Sequence, residues 1–504
     1  MNDFKTSAEY KELLASTIKH ADTKMDHIQH VVATFFRCVM LSHRWESKEP
    51  LLRDIQGKDL YGLNSDGSNA KLRSFCATAR DAGYRWAWVD TCCIDQSNNV
   101  EVQESVNSMF IWYRHSALTI VYLSDVPPSS ESGALAKSIW NTRGWTVQEF
   151  LAPRVALFYQ KDWTLYLNDH SPNHKKSVTI MQELGNATGI DARALLAFRP
   201  GMRDAREKLK WASTRVTTLQ EDMAYSLFGI FGIHLHVIYG EKKQNALGRL
   251  LQEIVAQSGD ITALDWVGRP SEFNSCLPAD ITPYKAPPCI SPSLSEYEIQ
   301  MSISSLQNEG FGESASTLYS LLDNLTAPRF ANRRLHLPCL VFTITEVAQR
   351  HGQDLDMCSA YEVKADGLQD LQIITEDRLV QFSPARPSRR TFLLVRPWNR
   401  DDLELPDFAD DTESLEDGPP LGSLADDSLG ESPGEVGRVN SDPYSRALRL
   451  IVRLGQPFGA LLVAQERGNE YKRIASDRNI IAQVKDIAAL RDMTARDVRT
   501  LEIL

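Results

Sequence analysis

The segment Trp86-Ala-Trp-Val-Asp-Thr-Cys-Cys-Ile-Asp-Gln96 begins with a short run, 86–94, that is rich in aromatic and β-branched residues. Such a run suits a strand that is buried on both faces of a sheet. Three similar runs and three amphipathic helical patterns surround it. The runs lie at 38–41, 118–123 and 155–159, and the helical patterns at 69–82, 100–115 and 134–150. This alternation of strands and helices predicts an α/β fold, with a mostly parallel sheet and helices on its faces.

The rest of the chain follows other patterns. Apolar residues recur at helical spacing before and after the α/β region, whereas short strand-like runs dominate the C-terminal half. The later runs lie at 337–345, 371–375, 391–395, 448–454, 460–464 and 500–504. We therefore predict an N-terminal helical segment (1–37), an α/β domain (38–165), a helical extension (166–265) and a mainly β C-terminal domain (266–504).

The net charge of −11 comes from one segment rather than from the whole surface. Between Asp401 and Asp442 the chain has fourteen acidic residues and one basic residue, so the remainder is nearly neutral. The segment is also rich in Gly, Ser and Pro, which predicts a disordered acidic insertion at 401–443 within the β-rich domain. A nearly neutral body lacks the clustered basic face that nucleic-acid binding requires, so we expect no nucleic-acid partner.

Hydropathy and cysteine usage indicate the cellular compartment. The sequence contains no stretch of about 18 uncharged apolar residues, so we predict no membrane-spanning helix. Residues 1–14 lack the apolar core of an export signal. The eight cysteines include no Cys-x-x-Cys pair, which is typical of free thiols. Together these features predict a cytoplasmic protein.

The opening segment also carries polar groups that are candidates for chemistry. In an extended strand, Asp90 and Cys92 share one face while Cys93 and Asp95 share the other, so one cysteine is expected to pack in the core. Asp95, at the carboxyl end of the strand, suits either substrate binding or capping of the next helix. The spacing of these carboxylates, thiols and His43 matches no standard zinc pattern, so we predict no metal site.

Four blocks of residues together carry a family resemblance. They are Leu41-Ser-His-Arg-Trp45, the opening segment, Arg143-Gly-Trp-Thr-Val-Gln-Glu149, and the segment running from Trp211-Ala-Ser to Glu221-Asp-Met-Ala-Tyr-Ser-Leu-Phe-Gly-Ile230. In order and spacing they resemble the fungal heterokaryon-incompatibility (HET) domain family, with the domain itself at about 36–165. One departure is Glu46, where the family often has a small residue, so the turn after the first strand is expected to differ. The resemblance implies a role in nonself recognition and regulated cell death.

The HET domain in turn resembles, more remotely, Toll/interleukin-1-receptor (TIR) domains, which have a flavodoxin-like sheet. In TIR domains a Ser-Phe/His-Arg-Gly stretch lies near the end of the first strand, and a Trp-Cys-x-x-Glu motif follows the third strand. Here Ser42-His43-Arg44 ends the first strand, and Trp145-Thr-Val-Gln-Glu149 follows the third. Some TIR domains cleave NAD with that glutamate, so the resemblance implies Glu149 as the catalytic residue and NAD as the substrate, with no cofactor required. It also implies self-association through the HET domain.

The chemistry of these residue types is consistent with that reaction. Cleavage of the nicotinamide–ribose bond passes through an oxocarbenium-like state, which a carboxylate can stabilise. Trp45 and Trp145 can stack on the nicotinamide or adenine ring, and Arg44 can bind a phosphate. The predicted substrate-binding set also contains four residues from the ends of the first two strands. They are Ser42, His43, Asp90 and Asp95.

The same residues also permit interpretations without catalysis. Glu149 can be a surface or capping residue of its helix, Trp145 can belong to the core, and Ser42 can be a turn hydroxyl. Two function classes therefore stay open. The first is an NAD glycohydrolase, and the second is a non-catalytic interaction module of the incompatibility response with an unknown protein partner. A hydrolase based on Asp90 and Asp95 is disfavoured, because the body is nearly neutral and no metal pattern accompanies them.

Overall fold

The computed structural model describes residues 2–19, 25–46, 48–62, 67–289, 294–350, 358–379, 391–399 and 443–504. Two compact units divide the chain: Met1–Ala263 with Ala279–Ala286 form the first, and Leu264–Pro278 with Pro287–Leu504 form the second. The predicted acidic insertion at 401–443 lies outside the described residues, apart from its last position. The predicted boundaries at 37, 165 and 265 stay predictions.

A parallel sheet organises the first unit. Its strands within the described residues are β1 (Cys38–His43), β2 (Trp86–Trp88), β3 (Leu118–Tyr122) and β4 (Ala156–Tyr159). They pair in parallel in the order β2-β1-β3-β4, which is the order of a flavodoxin-like sheet and confirms the predicted α/β fold. The connections reverse direction between β1 and β3. In such sheets, ligands bind beyond the carboxyl ends of the strands at this point of reversal.

Helices precede and connect these strands. They are α1 (Asn2–Thr6), α2 (Ala8–Lys19), α3 (Met25–Phe35), α4 (Leu52–Ile55), α5 (Ser68–Asp81), α6 (Asn99–His115), α7 (Ala134–Lys137) and α8 (Thr146–Leu151). The helix predicted over 134–150 is instead broken into α7, a 3-10 turn at Ile139–Thr142 and α8. The side chain of Ser138 causes one break, because its hydroxyl accepts from the N–H of Trp140 and donates to Asp125. The short α8 results from this interruption.

The strand predicted over 86–94 is much shorter in the structure. β2 ends at Trp88, and the N–H groups of Cys92 and Cys93 both bond to the carbonyl of Val89, at 3.3 and 2.9 Å. The chain therefore turns, and the predicted alternation of faces beyond β2 is wrong. Cys92 nevertheless packs in the core next to the sheet, whereas Cys93 is exposed.

A helical region follows β4, as predicted for 166–265. Its α-helices are α9 (Val178–Thr188), α10 (Ala192–Ala197), α11 (Ala205–Ala212), α12 (Asp222–Tyr225), α13 (Phe228–Phe231) and α14 (Lys243–Ser258). Helix α13 approaches α6 closely at Gly229. A Cβ atom at this glycine would lie 2.2 Å from the Cβ of Phe110 and 3.0 Å from Oε1 of Gln148. Only glycine permits this contact between the two helices, next to the segment that carries Glu149.

The second unit is built on a mixed sheet. Its strands are β5 (Arg329–Ala331), β6 (Arg334–Gln349), β7 (Ser359–Ala365), β8 (Leu371–Thr375), β9 (Phe392–Pro397), β10 (Phe458–Gln465), β11 (Glu470–Ile474), β12 (Ile480–Ala482) and β13 (Val498–Ile503). Most pairs are antiparallel, whereas β11 and β13 run parallel. Helices α15 (Glu296–Asn308), α16 (Gly312–Asp323) and α17 (Pro443–Leu454) accompany the sheet. Among the described residues, no helix has the length and apolar character needed to cross a membrane.

The strand predicted at 448–454 is wrong, because this segment is the second half of α17. Leu448, Ile451 and Val452 are buried at helical spacing, while Arg449 reaches Glu296 on α15. A short run of apolar and β-branched residues fits either a strand or a buried helix, and the contacts with α15 and α16 decide between them.

Replacement of Gly229 by alanine tests the contact between α13 and α6. The new Cβ has no room against Phe110, so Gly229→Ala should lower the free energy of unfolding by about 1–3 kcal/mol. Gly62→Ala is the control, because its Cβ would meet Asp59 at an ordinary 3.6 Å. Chemical denaturation of both variants measures the difference. An unchanged stability of Gly229→Ala would show that the two helices can separate freely.

Candidate functional site

Glu149 lies on α8, which packs against β1 and β3. Every residue of this short helix is buried, and Glu149 is only 4% exposed. The hydroxyl of Ser42, near the carboxyl end of β1, donates to Oε2 of Glu149 at 2.5 Å. The indole N–H of Trp140 donates to the same hydroxyl at 2.9 Å. A chain of hydrogen bonds thus runs from Trp140 through Ser42 to the carboxyl group.

The surroundings of Glu149 favour its protonated form. Burial raises the pKa of Glu149 to about 8, and the negative charge of Asp90 adds to the rise. The hydrogen bond from Ser42 and the positive charges of Arg143 and Arg215 oppose it. A carboxyl group with its pKa in this range can change charge near neutral pH.

A second cluster lies at the end of β1 and joins His43, Asp90 and Trp45. Nε2 of His43 lies 3.1 Å from Oδ1 of Asp90, and the indole N–H of Trp45 donates to Oδ2 at 2.7 Å. Because a carboxylate only accepts, Nε2 of His43 carries the proton of this hydrogen bond. His43 is buried, whereas Trp45 is 40% exposed. One carboxylate therefore connects a buried imidazole to an aromatic ring at the surface.

A buried ion pair lies next to this cluster, beside His43. Lys71 pairs with Glu49, whose Oε1 also lies 3.9 Å from Nδ1 of His43. Lys71 further donates to the carbonyl of Arg44 at 3.4 Å. The N–H of Glu46, the position at which the chain departs from the family pattern, donates to Glu49 at 2.7 Å. Glu49 therefore stabilises the turn that follows β1.

Trp145 lies immediately before α8 and makes its polar contact with the helical region that follows the sheet. Its indole N–H donates to Oδ2 of Asp222 at 3.2 Å, and the ring is half-buried. Burial raises the pKa of Asp222 to about 6, whereas its hydrogen bonds from Trp145 and Tyr239 and the charge of Arg143 lower it. Asp222 is the first residue of α12, so the helical extension contributes a polar group next to Trp145.

The remaining predicted site residues are placed differently. Asp95 is half-buried, and its carboxylate accepts from the N–H and hydroxyl of Ser97 at 2.9 and 2.6 Å. It forms the turn before α6, while Asn98 caps that helix through its side chain. Arg44 is exposed beside Trp45. The structure therefore brings Ser42 to Glu149, and His43 and Trp45 to Asp90, whereas Asp95 bonds locally.

Several residues of the site were not predicted from the sequence. They are Trp140, Glu49, Lys71 and Arg215. Each makes its contact across a gap of many residues or through a turn, so no short-range pattern marks it. Trp140 gives the clearest signal in retrospect, since it lies three residues before the Arg143–Glu149 block and is fully buried.

The match to a known family covers most of the parallel sheet. Residues 39–134 match the model of the family described as heterokaryon incompatibility protein (HET). This part of the chain is a HET domain. The matched segment contains β1 to β3, with Ser42, His43 and Asp90, and it ends before Glu149. Strand β4 and helix α8 therefore lie beyond the matched segment.

A curated relative supports the same family. Over 237 residues the chain is 39% identical to vegetative incompatibility protein HET-E-1 of Podospora anserina. The aligned part is 45% of this chain and 16% of that protein, so the chain spans about a sixth of the length of this relative. No solved structure matches the chain.

Potential metal ligands converge outside the HET domain. Within the part of the chain that the structure describes, the thiol of Cys358 and the carboxylates of Glu376 and Asp477 lie within 4.8 Å of one another. The thiol donates to Asp477 at 2.5 Å. These groups belong to the second unit, and Glu376 also lies 3.8 Å from Arg269. The HET domain itself, over its described residues, contains no comparable group.

The raised pKa of Glu149 predicts a pH-dependent stability. In the unfolded chain a glutamate titrates near about 4.3, so the unfolded state loses its proton at a lower pH than the folded state. Between that value and about 8, the stability should therefore fall as pH rises, by at most about 1.4 kcal/mol per pH unit. Glu149→Gln should lack this contribution, which denaturation at several pH values would measure.

The Ser42→Ala variant provides a second comparison. Loss of the hydroxyl removes a hydrogen bond that favours the carboxylate, so the pKa of Glu149 should rise. The pH range over which the stability falls should therefore extend to higher pH. Parallel stability curves for the wild type and Glu149→Gln would contradict the assignment of the titration to Glu149.

Proposed function

We propose that the HET domain cleaves the nicotinamide–ribose bond of NAD, with Glu149 as the carboxylate that acts on the ribose. The observation that carries this proposal is the buried carboxyl group of Glu149 beside the carboxyl end of β1, where the sheet reverses direction. Ligands of flavodoxin-like sheets bind at this edge. A buried carboxyl group at a ligand-binding edge is more often functional than one on an open surface.

The reaction needs only water and NAD. The bond between the nicotinamide nitrogen and the ribose C1′ breaks, and its electron pair leaves with nicotinamide, which becomes neutral. Water adds to C1′ and releases one proton, so the products are nicotinamide, ADP-ribose and a proton. In its ionised form, Glu149 would stabilise the positive charge that develops on the ribose. Water exclusion around α8 would strengthen this interaction.

The other residues of the site would bind and orient the substrate. Ser42 holds the Glu149 carboxyl group, and Trp140 fixes the hydroxyl of Ser42. Trp45 offers an exposed ring, oriented by Asp90, for stacking on a base. Arg44, exposed beside it, suits the pyrophosphate. No cofactor is part of this proposal.

The biological role would be fungal nonself recognition through regulated cell death. The name of the relative from Podospora anserina supports this role, because it describes a vegetative incompatibility protein. Loss of NAD would stop cellular metabolism and thereby link the chemistry to that outcome. Self-association of HET domains to complete the site, a protein partner as trigger and a cytoplasmic location belong to the same proposal.

A second candidate function is a non-catalytic interaction module. The burial of Glu149 favours it, since a carboxyl group that is 4% exposed and held by Ser42 also suits a structural role. In that case Trp45, at the surface, would contact a protein partner. The two candidates differ in whether Glu149 is needed for chemistry or only for stability.

NAD consumption by the purified protein tests the proposal. Glu149→Gln should reduce kcat by about a hundredfold or more, because the charge that stabilises the transition state is lost. The wild-type rate should increase with pH and level off above about 8, where Glu149 is ionised. Chromatographic measurement of nicotinamide release gives both quantities.

Glu183→Gln is a matched control within the same unit. Glu183 is also a buried glutamate, and its carboxyl group accepts a hydrogen bond from Tyr166 at 2.9 Å, away from Ser42. This variant should retain NAD cleavage when it is folded. Equal turnover by the wild type and folded Glu149→Gln would reject Glu149 as the catalytic residue. Absence of turnover in the wild type, combined with cell death that persists in Glu149→Gln, would favour the interaction module.

A further inference from the structure

Arg215 holds the beginning of the helix that carries Glu149. It lies just after α11, outside the segment that matches the HET family. Its Nη1 donates to the carbonyl of Arg143 at 3.0 Å and to the hydroxyl of Thr146, the first residue of α8, at 3.1 Å. Its Nε donates to the carbonyl of Trp211 at 3.1 Å, and this third hydrogen bond further fixes the orientation of the guanidinium group.

The backbone beside Arg215 is joined to the segment before α8. The N–H of Val216 donates to the carbonyl of Thr142 at 2.7 Å, and the N–H of Gly144 donates to the carbonyl of Val216 at 2.9 Å. Gly144 permits this approach, since a Cβ there would lie 2.6 Å from Thr217. The chain around Arg215 therefore has little freedom to move relative to α8.

The guanidinium group is buried without an acidic hydrogen-bond partner. Arg215 is 4% exposed, and its Nη2 has no hydrogen-bond partner among the described residues. Burial lowers the pKa of Arg215 to about 9. The negative charge of Glu149 opposes this decrease, so Glu149 is the electrostatic partner of Arg215. A buried arginine requires a compensating charge, and Glu149 provides it, without direct contact, when its carboxyl group is ionised.

The opposite end of α8 is held by Lys175, a second buried basic residue. Nζ of Lys175 donates to the carbonyls of Leu151 and Pro153 at 3.3 and 2.7 Å. Leu151 is the last residue of α8, so the Lys175 amino group binds carbonyls at the end of the helix that lack helical partners. Both basic residues that anchor α8 therefore come from the helical region that follows the sheet.

We propose that Arg215 is a positioning residue for Glu149: it fixes the first turn of α8 and supplies a buried positive charge that stabilises the ionised carboxylate of Glu149. As a statement about catalysis, this inference rests on the proposed function. As a statement about the ionisation of Glu149, it stands on the contacts of Arg215. It makes the helical region after the sheet an integral part of the site.

The other charged and titratable groups around Glu149 have defined effects. Asp90 opposes its ionisation, whereas Arg143 favours it. Tyr113 is fully buried, donates to the carbonyl of Leu41 at 2.8 Å and has its pKa raised in part by Glu149. Since Asp90 and Arg143 act in opposite directions, removal of Arg215 should shift the balance towards the protonated carboxyl group.

Direct titration of Glu149 tests the inference without any need for activity. In protein labelled at the glutamate carboxyl carbon, the NMR resonance that disappears in Glu149→Gln belongs to Glu149. Its midpoint should lie near 8 in the wild type and at least about one pH unit higher in Arg215→Gln, a tenfold change in the ionisation constant. If NAD cleavage is observed, its pH profile should move by the same amount.

Arg206→Gln is the matched control, since Arg206 is also buried in the first unit but donates to the carbonyls of Tyr284 and Ala286. It should leave the Glu149 midpoint unchanged. An unchanged midpoint in folded Arg215→Gln would overturn the inference and leave Arg215 as a packing residue. A shifted midpoint in a protein that does not cleave NAD would support the inference and reject the proposed function.

Arg215→Lys keeps the test decisive if Arg215→Gln does not fold. Lysine retains the charge but loses the planar fork that contacts Arg143 and Thr146 together. The Glu149 midpoint should then stay within about half a pH unit of the wild-type value, while the melting temperature falls. An upward shift of a full pH unit despite the retained charge would overturn the electrostatic part of the inference.

Discussion

The hydrogen bond from Ser42 to Glu149 is the constraint on which the site depends. A carboxyl group loses its solvation when it is buried, and this loss is tolerable only if the protein provides partners. Ser42 provides the hydrogen bond at the end of β1, Trp140 orients its hydroxyl, and Arg215 and Arg143 provide positive charge. The free-energy cost of burying the Glu149 carboxyl group thus explains why groups from strand β1, from the segment before α8 and from the helical region after the sheet all act on this side chain.

The site has an inner and an outer part. The inner part is the buried Glu149 with Ser42 and Trp140, and the outer part is the surface ring of Trp45 held by Asp90. Asp90 connects the two parts, because its charge also acts on Glu149. A ligand that neutralised or displaced Asp90 would therefore favour ionisation of Glu149. Ligand binding at Asp90 would in this way be coupled to the charge of the buried carboxyl group.

Local patterns predicted most of the strands and missed features that depend on tertiary contacts. The strands at β1, β3 and β4 follow from short apolar runs, because burial on both faces requires such runs. The segment at 448–454 has the same composition but forms part of α17, since its apolar residues pack between α15 and α16. Similarly, β2 ends at Trp88 because Val89 accepts the hydrogen bonds of a turn. Short apolar runs do not distinguish these outcomes.

The sequence by itself determined the class of the fold, the family and the importance of Ser42, Asp90 and Glu149 as candidates, because strand–helix alternation and motif order are local properties. It also located the acidity in one segment outside the site. Only the tertiary structure decided which candidates meet. Ser42 and Glu149 are separated by 107 positions, and Arg215 follows Thr146 by 69. Burial and charge balance act through space, so the charge state of Glu149 depends on neighbours that no sequence pattern places beside it.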